Sequence, residues 1–365
     1  MALIKDIYNE VFFKQLTAVL NEVIPDFKES LFIEKIYANQ FLEKEWKDRM
    51  LHVTEVLHVF MPADFNRAAP LLMDLITVLQ QQNNQEEKLA YIFLAEYISK
   101  YGIHDMKTAI PLLEHTTQFI SCEFAVRPFI LKYPEPMLLQ LYLWSQHENY
   151  KVRRFASEGS RPKLPWSMAL PLLQKDPTLS FKILENLIDD VHPWVRKSVA
   201  NHLNDISKDN PEKALIFAKK WKNNSIESAA IIKHGMRTLL KQGQPDVLAL
   251  YDLDAVGIEV SKFKINTPSV TIGTVLDFEF QIENHNLLDK IIRLEYAVYY
   301  QKANGQLNKK VFKISERSFK PLEKSMVKRK QSFKIITTRV FYTGLHQLTL
   351  IINGQESEKL DFQLI

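Results

Sequence analysis

Near Val260 the spacing of apolar residues changes, and that change restricts the fold more than any other feature of the chain. Before it, apolar side chains recur three and four apart, as in Leu16, Val19, Leu20 and Val23, or Leu71, Leu72, Leu75, Ile76 and Leu79. That is the period of amphipathic helices. After it the period is two: Leu276, Phe278, Phe280 and Ile282 alternate with Asp277, Glu279 and Gln281, and Leu294, Tyr296, Val298 and Tyr300 follow the same rule. Such alternation marks strands with one buried face. The 365 residues are therefore expected to form a helical domain over 1–241, a connector over 242–259 and an all-β domain over 260–365.

Punctuation repeats within the helical part. An alanine-x-proline-leucine-leucine string occurs at 68–72, 109–113 and 169–173, and KVRRFA (151–156) is echoed by WVRKSV (194–199). Proline fits the first turn of a helix, where its missing N–H is not needed, so each string is expected to open one. Pro70 and Pro111 are 41 residues apart and the KVRRFA and WVRKSV strings 43 apart, close to the period of paired-helix repeats of the HEAT type, which stack into a curved solenoid with a concave face. In the β part, the hairpin dipeptides Asn304-Gly305 and Asn353-Gly354 separate strand-length runs. About seven short strands are expected, arranged as an immunoglobulin-like sandwich. The fold class is thus mainly α, a helical-repeat solenoid followed by a smaller all-β sandwich.

Several chemistries are excluded by what the chain contains. A single cysteine, Cys122, cannot make a disulfide framework or a multi-cysteine zinc site. None of the nine glycines falls in a phosphate-cradling GxGxxG or GxxxxGK[ST] loop, and the histidines lack metal-ligand spacing. Lys5, Asp6 and Glu10 interrupt the apolar start, and no run of eighteen apolar residues exists. A soluble, cytoplasmic, monomeric protein without metal, cofactor or membrane partner is expected.

Charge is unevenly distributed. Residues 1–126 carry a net −7, residues 127–241 +8, residues 242–261 −4 and residues 262–365 +7. Clustered lysine and arginine attract a polyanion, although a solvated surface also fluctuates in charge. The densest stretch is KVRRFASEGSRPKLPW, 151–166. Glu158 is an acid inside a basic run, Gly159 and Pro162 end its helix, and Trp166 follows Pro165 at the expected start of the next helix. As an ordinary inter-helix loop, the same stretch would pair Glu158 with Arg161 or Lys163 and use Trp166 as a plug.

KVRRFASEGSRPKLPW, with HPWVRKSVANHLNDISKDNP (192–211) and FISCEFAVRPF (119–129), resembles the bacterial alkylation-repair DNA glycosylases built from HEAT-like repeats. The resemblance is to the AlkC branch, in the subgroup with an added immunoglobulin-like domain, and it spans essentially the whole chain. It implies a monofunctional DNA N-glycosylase acting on cationic alkylated bases such as N3-methyladenine or N3-methylcytosine in double-stranded DNA, without cofactors. Glu158, Glu123 and Asp205 fall at the branch's acidic active-site positions, Trp166 at an aromatic position beside the lesion and Arg154 at a basic position facing DNA.

These residue types suit that chemistry. An alkylated base already carries positive charge and leaves neutral, so the developing charge sits on the sugar, where a fixed carboxylate stabilises it and orients water. Glu158 is assigned that role first, with Glu123, after Cys122 in an apolar helix, and Asp205 sharing it. Arg153, Arg154, Arg161, Lys163, Arg196 and Lys197 are expected to clamp phosphates. Trp194 is expected to pack rather than meet a ligand. In the β domain, Lys309, Lys310, Lys328, Arg329 and Lys330 lie in lysine-rich strand-loop segments, and the resemblance implies a grip on the minor groove. A non-catalytic helical-repeat adaptor for DNA or protein explains the same solenoid and charge blocks, but gives Glu158 no purpose.

Overall fold

A computed structural model describes residues 3–82, 88–336 and 339–365. Two compact units result, Met1–Gly235 and Met236–Ile365. The first is helical: α1 (Glu10–Val23), α2 (Glu29–Tyr37), α3 (Trp46–Val59), α4 (Phe65–Gln81), α5 (Ile92–Gly102), α6 (Met106–Thr117), α7 (Val126–Lys132), α8 (Pro134–Trp144), α9 (Tyr150–Gly159), α10 (Pro171–Lys175), α11 (Thr178–Leu187), α12 (Pro193–Asp209), α13 (Pro211–Trp221) and α14 (Ile226–Gly235). Among the described residues no helix is long and apolar enough to cross a membrane.

Local chemistry explains the repeat. Asp64 caps α4 by accepting from the Asn66 N–H, and Asp105 caps α6 by accepting from the Thr108 N–H. Those caps start the helices earlier than the proline strings suggest, so Pro70 and Pro111 lie inside α4 and α6 instead of in their first turns. Only Pro171 opens its helix, α10. The KVRR and WVRK echo has its own cause. Arg153 of α9 reaches back to the carbonyls of His147 and Glu148, and Arg196 of α12 reaches back to those of Asp190 and Val191. Each guanidinium thus ties its helix to the preceding loop at the same sequence offsets. α12 packs between α9 and α14 and buries Val195, Val199, Leu203 and Ile206, spaced four, four and three apart.

The second unit begins with two short helices, α15 (Arg237–Lys241) and α16 (Pro245–Leu250). Its strands are β1 (Ile258–Ile265), β2 (Ser269–Val270), β3 (Val275–Asn284), β4 (Lys290–Gln301), β5 (Leu307–Phe319), β6 (Lys324–Ser332), β7 (Gly344–Ile352) and β8 (Gln355–Leu364). They form a three-stranded sheet, β1-β3-β6, and a five-stranded sheet, β2-β8-β7-β4-β5. Leu276, Phe278, Phe280 and Ile282 of β3 meet Leu294, Tyr296 and Val298 of β4 and Leu348, Leu350 and Ile352 of β7 in one core. Asn353 and Gly354 turn β7 into β8 with both φ angles positive, 46° and 82°, as a two-residue hairpin of this type requires. The immunoglobulin-like sandwich is as expected, with the two-residue β2 as an extra strand.

Candidate active site

The helical unit converges on one buried charge network. Glu158, in the last turn of α9, accepts from Arg161 Nη1 at Oε1 (2.6 Å) and from Ser198 Oγ of α12 at Oε2 (2.5 Å). Gly159 lets the end of α9 approach α7: a Cβ there would stand 2.7 Å from Val126 Cγ1. Arg161 also donates through Nε to Asp205 Oδ2 (2.8 Å), and Lys208 Nζ donates to Asp205 Oδ1 (3.0 Å). Burial alone would lower the Arg161 pKa, but Glu158 and Asp205 outweigh it, so the guanidinium is held charged. Arg127, fully buried, fixes the surrounding backbone by donating to the carbonyls of Met168, Gly159 and Arg161. Burial and the Arg161 cation pull Arg127 down to about 10, still charged at neutral pH. Behind them His202 of α12 is buried and pushed down to about 3 by burial and then by Arg161, so it is neutral.

Glu158 is only 6% exposed, yet it lines two grooves. One, of about 470 Å³, carries the basic side chains of Lys151, Arg154 and Lys197 beside Ser198, Trp194 and Phe119. The other, of about 340 Å³, is mostly apolar, walled by Trp46, Ile92, Phe124, Pro165 and Trp166 with Glu123 and Arg161. A single carboxylate therefore forms floor for both.

Glu123 belongs to the turn before α7, not to a helix as expected, because α7 begins only at Val126. Its Oε2 accepts from Arg154 Nη1 (2.9 Å) and Ser121 Oγ (2.8 Å). Neighbouring Cys122 is a poor nucleophile, since burial and then Glu123 push its thiol up. Trp166 also departs from expectation. Its φ of 65° is left-handed, so it occupies a turn instead of a helix start, and α10 begins five residues later. A bulky residue in that region stores strain of order 1–3 kcal/mol. The Lys47 ammonium holds it there by donating to the Trp166 carbonyl, leaving the indole 68% exposed and 6.2 Å from Trp46.

Other expected residues are placed differently. Asp205 is buried and lines neither groove; Arg161 stands between it and Glu158. Arg161, expected to clamp phosphate, is instead paired with these two acids. Arg153 pairs with Asp190 as well as the loop carbonyls, so it and Arg196 serve the repeat. Lys163 pairs with Asp209. Arg154 and Lys197 do line the basic groove. Trp194, in the first turn of α12, is 62% exposed and lines that groove instead of packing in the core. Lys151 and Ser198 lie within the KVRRFA and WVRKSV strings but nothing singles them out there, and Trp46 lies in no motif.

In the β unit, register sets acids opposite part of the expected basic surface. β3 and β6 place Asp277 opposite Lys330 and Glu279 opposite Lys328, and both lysines are within ion-pair reach of those acids. Lys309 pairs with Glu356. Lys310 differs: burial, Arg339 and Lys241 all lower its pKa, the mark of a locally positive patch.

A helical-repeat unit with a carboxylate at the floor of a basic groove, joined to an immunoglobulin-like sandwich, defines a class of DNA repair enzyme. Residues 53–239 match the family described as "DNA alkylation repair enzyme", and residues 259–365 match "Uncharacterised protein YhaZ, C-terminal Ig-like domain". The chain belongs to the DNA alkylation repair enzyme family. It is similar to "Uncharacterized protein YhaZ" of Bacillus subtilis strain 168, 40% identical over the full length of both chains. It is likewise similar in structure to the Pseudomonas fluorescens alkylpurine DNA glycosylase AlkC bound to DNA containing an abasic site analogue. The TM-score is 0.94, with 33% identity and full coverage of both chains.

Proposed function

We propose that the protein is a monofunctional DNA N-glycosylase that removes cationic alkylated bases, N3-methyladenine and N3-methylcytosine, from double-stranded DNA. The observation that carries this reading is Glu158, buried, doubly hydrogen-bonded and yet lining both grooves. The likeness to AlkC, whose bound DNA carries an abasic site analogue, supports it.

The C1′–N bond breaks with its electron pair moving onto the base, which leaves neutral. Positive charge then appears on the sugar, where the Glu158 carboxylate stabilises it without reorganising, because Arg161 and Ser198 fix both oxygens. Each carboxylate oxygen keeps a second lone pair, so Oε2 can also accept from the water that adds to C1′ and loses its proton to the carboxylate or solvent. Asp205 acts through Arg161 as a positioning residue. Glu123, masked by Arg154 at the rim, adds negative potential beside the apolar groove. The exposed Trp166 indole offers its electron-rich face to the cationic base. Arg154, Lys151 and Lys197 take phosphates along the basic groove, and the Lys310 patch of the β unit supplies a second grip on the backbone.

The test uses duplex DNA methylated at adenine or cytosine N3. Wild type is expected to release the free base and leave abasic sites that break in hot alkali, whereas Glu158→Gln binds the same DNA and releases base far more slowly. Equal release by both proteins would assign the chemistry elsewhere. An adaptor would bind DNA and release nothing.

A further inference from the structure

Next to the apolar groove lies a second, smaller recess of about 220 Å³ that the reaction as described does not use. It shares Trp46, Phe124 and Trp166 with the groove, then continues past them to Met50, Met168 and Glu96. Its walls are flat and polarizable, two indoles and two thioethers. Glu96 of α5 supplies a carboxyl group, with Ser99 one turn further on and Lys47 across from it.

From this geometry we infer that the recess is a docking site for the excised base, held between the aromatic and thioether walls with its amino edge toward Glu96. The inference rests on the glycosylase reading. Size agrees: an apolar cavity of about 150 Å³ holds one benzene ring, so 220 Å³ suits a small one- or two-ring heterocycle but not a nucleotide with its sugar and phosphate. Chemistry agrees too. N3-alkylated adenine and cytosine both carry an exocyclic amino group, a donor that a carboxylate accepts, and both present π faces to stack. Continuity agrees last, because Trp46, Phe124 and Trp166 line both the groove and the recess. Burial raises the Glu96 pKa, while Lys100 and Lys47 pull it down.

Full-length protein would be titrated with free 3-methyladenine by equilibrium dialysis, and the same base added to the excision assay as product inhibitor. Wild type is expected to bind it and to be inhibited competitively. Glu96→Gln should weaken binding and inhibition about tenfold, the loss of one charge-assisted hydrogen bond. Met168→Trp, which fills the recess from a half-exposed position, should abolish both. Circular dichroism identical to wild type certifies each variant as folded. A wild type that releases no base from methylated DNA strikes the glycosylase reading. A wild type that releases base yet binds free 3-methyladenine no better than the two folded variants overturns the docking site alone.

Discussion

Two buried arginines in this molecule are built alike. In the helical unit Arg161 bridges Glu158 and Asp205, with Lys208 on the outer acid. In the β unit Arg293 bridges Glu295 and Glu316, with Lys313 on the outer acid. The inner contacts are both 2.6 Å, and every arginine and carboxylate involved is below one-tenth exposed at its side chain. They differ in what lies beside them. Glu158 lines two grooves, whereas Arg293 and Glu295 line none of the grooves described above. A buried ion triad is therefore not in itself a site. It is an anchored charge, and a neighbouring concavity with cationic and aromatic walls gives that charge something to act on.

The comparison can be broken most forcefully at the arginines. Arg161→Met and Arg293→Met each strand two buried carboxylates, and each should lower unfolding free energy by about 3–5 kcal/mol in denaturant titrations. Only Arg161→Met should also reduce excision per folded molecule, because only it releases Glu158. Equal catalytic loss in both would mean the triads act through stability alone. The acids sharpen the contrast next. Glu158→Gln should slow single-turnover excision by about 3–4 kcal/mol, roughly two to three decades, with DNA binding retained, and Glu295→Gln should leave the excision rate at wild type.

A pH measurement follows, smaller in effect. His202, behind the Arg161 triad, is held near 3 in the folded state against 6.5 when unfolded. Between those values the unfolded chain binds the extra proton, so stability is complete above pH 6.5 and is lost as pH falls. The slope from this one group is at most about 1.4 kcal/mol per pH unit. His202→Phe should flatten the fall in melting temperature between pH 6.5 and 4; an unchanged slope would remove His202 from the account. The gentlest test is in the β unit: Lys310→Ala should weaken DNA binding uniformly across sequences and reduce its salt dependence by about one counterion, without altering the excision rate at saturation.

Much of this was legible in the sequence, for reasons that also mark where it stopped. The switch of period near Val260 reports directly on which faces are buried, so both unit types could be read. Glu158 stood out because Gly159 and Pro162 punctuate its helix. Trp166 was legible as a residue but not as a conformation: Pro165 looks like a helix opener, whereas the backbone turns left-handed under the hold of Lys47. Charge counting does not show that Arg153 and Arg196 bond backbone carbonyls, and Arg153 also Asp190. Nor does it show that Lys328 and Lys330 face Glu279 and Asp277, which lie on a strand about fifty residues upstream and are paired only once the register is known. Ser198, forty residues from Glu158, reaches it through helix packing alone.

One hold has a wider reach. Trp46 and Lys47, which flank and tether Trp166, lie ahead of the stretch 53–239 that defines the repair family. Glu158, Glu123 and Asp205 sit inside that stretch, but Trp46, one wall of the apolar groove, lies outside it. A truncated chain starting at the family boundary would keep those three acids and lose the indole beside Trp166, so, on the proposed reading, a fragment that retains excision is expected to begin before Trp46.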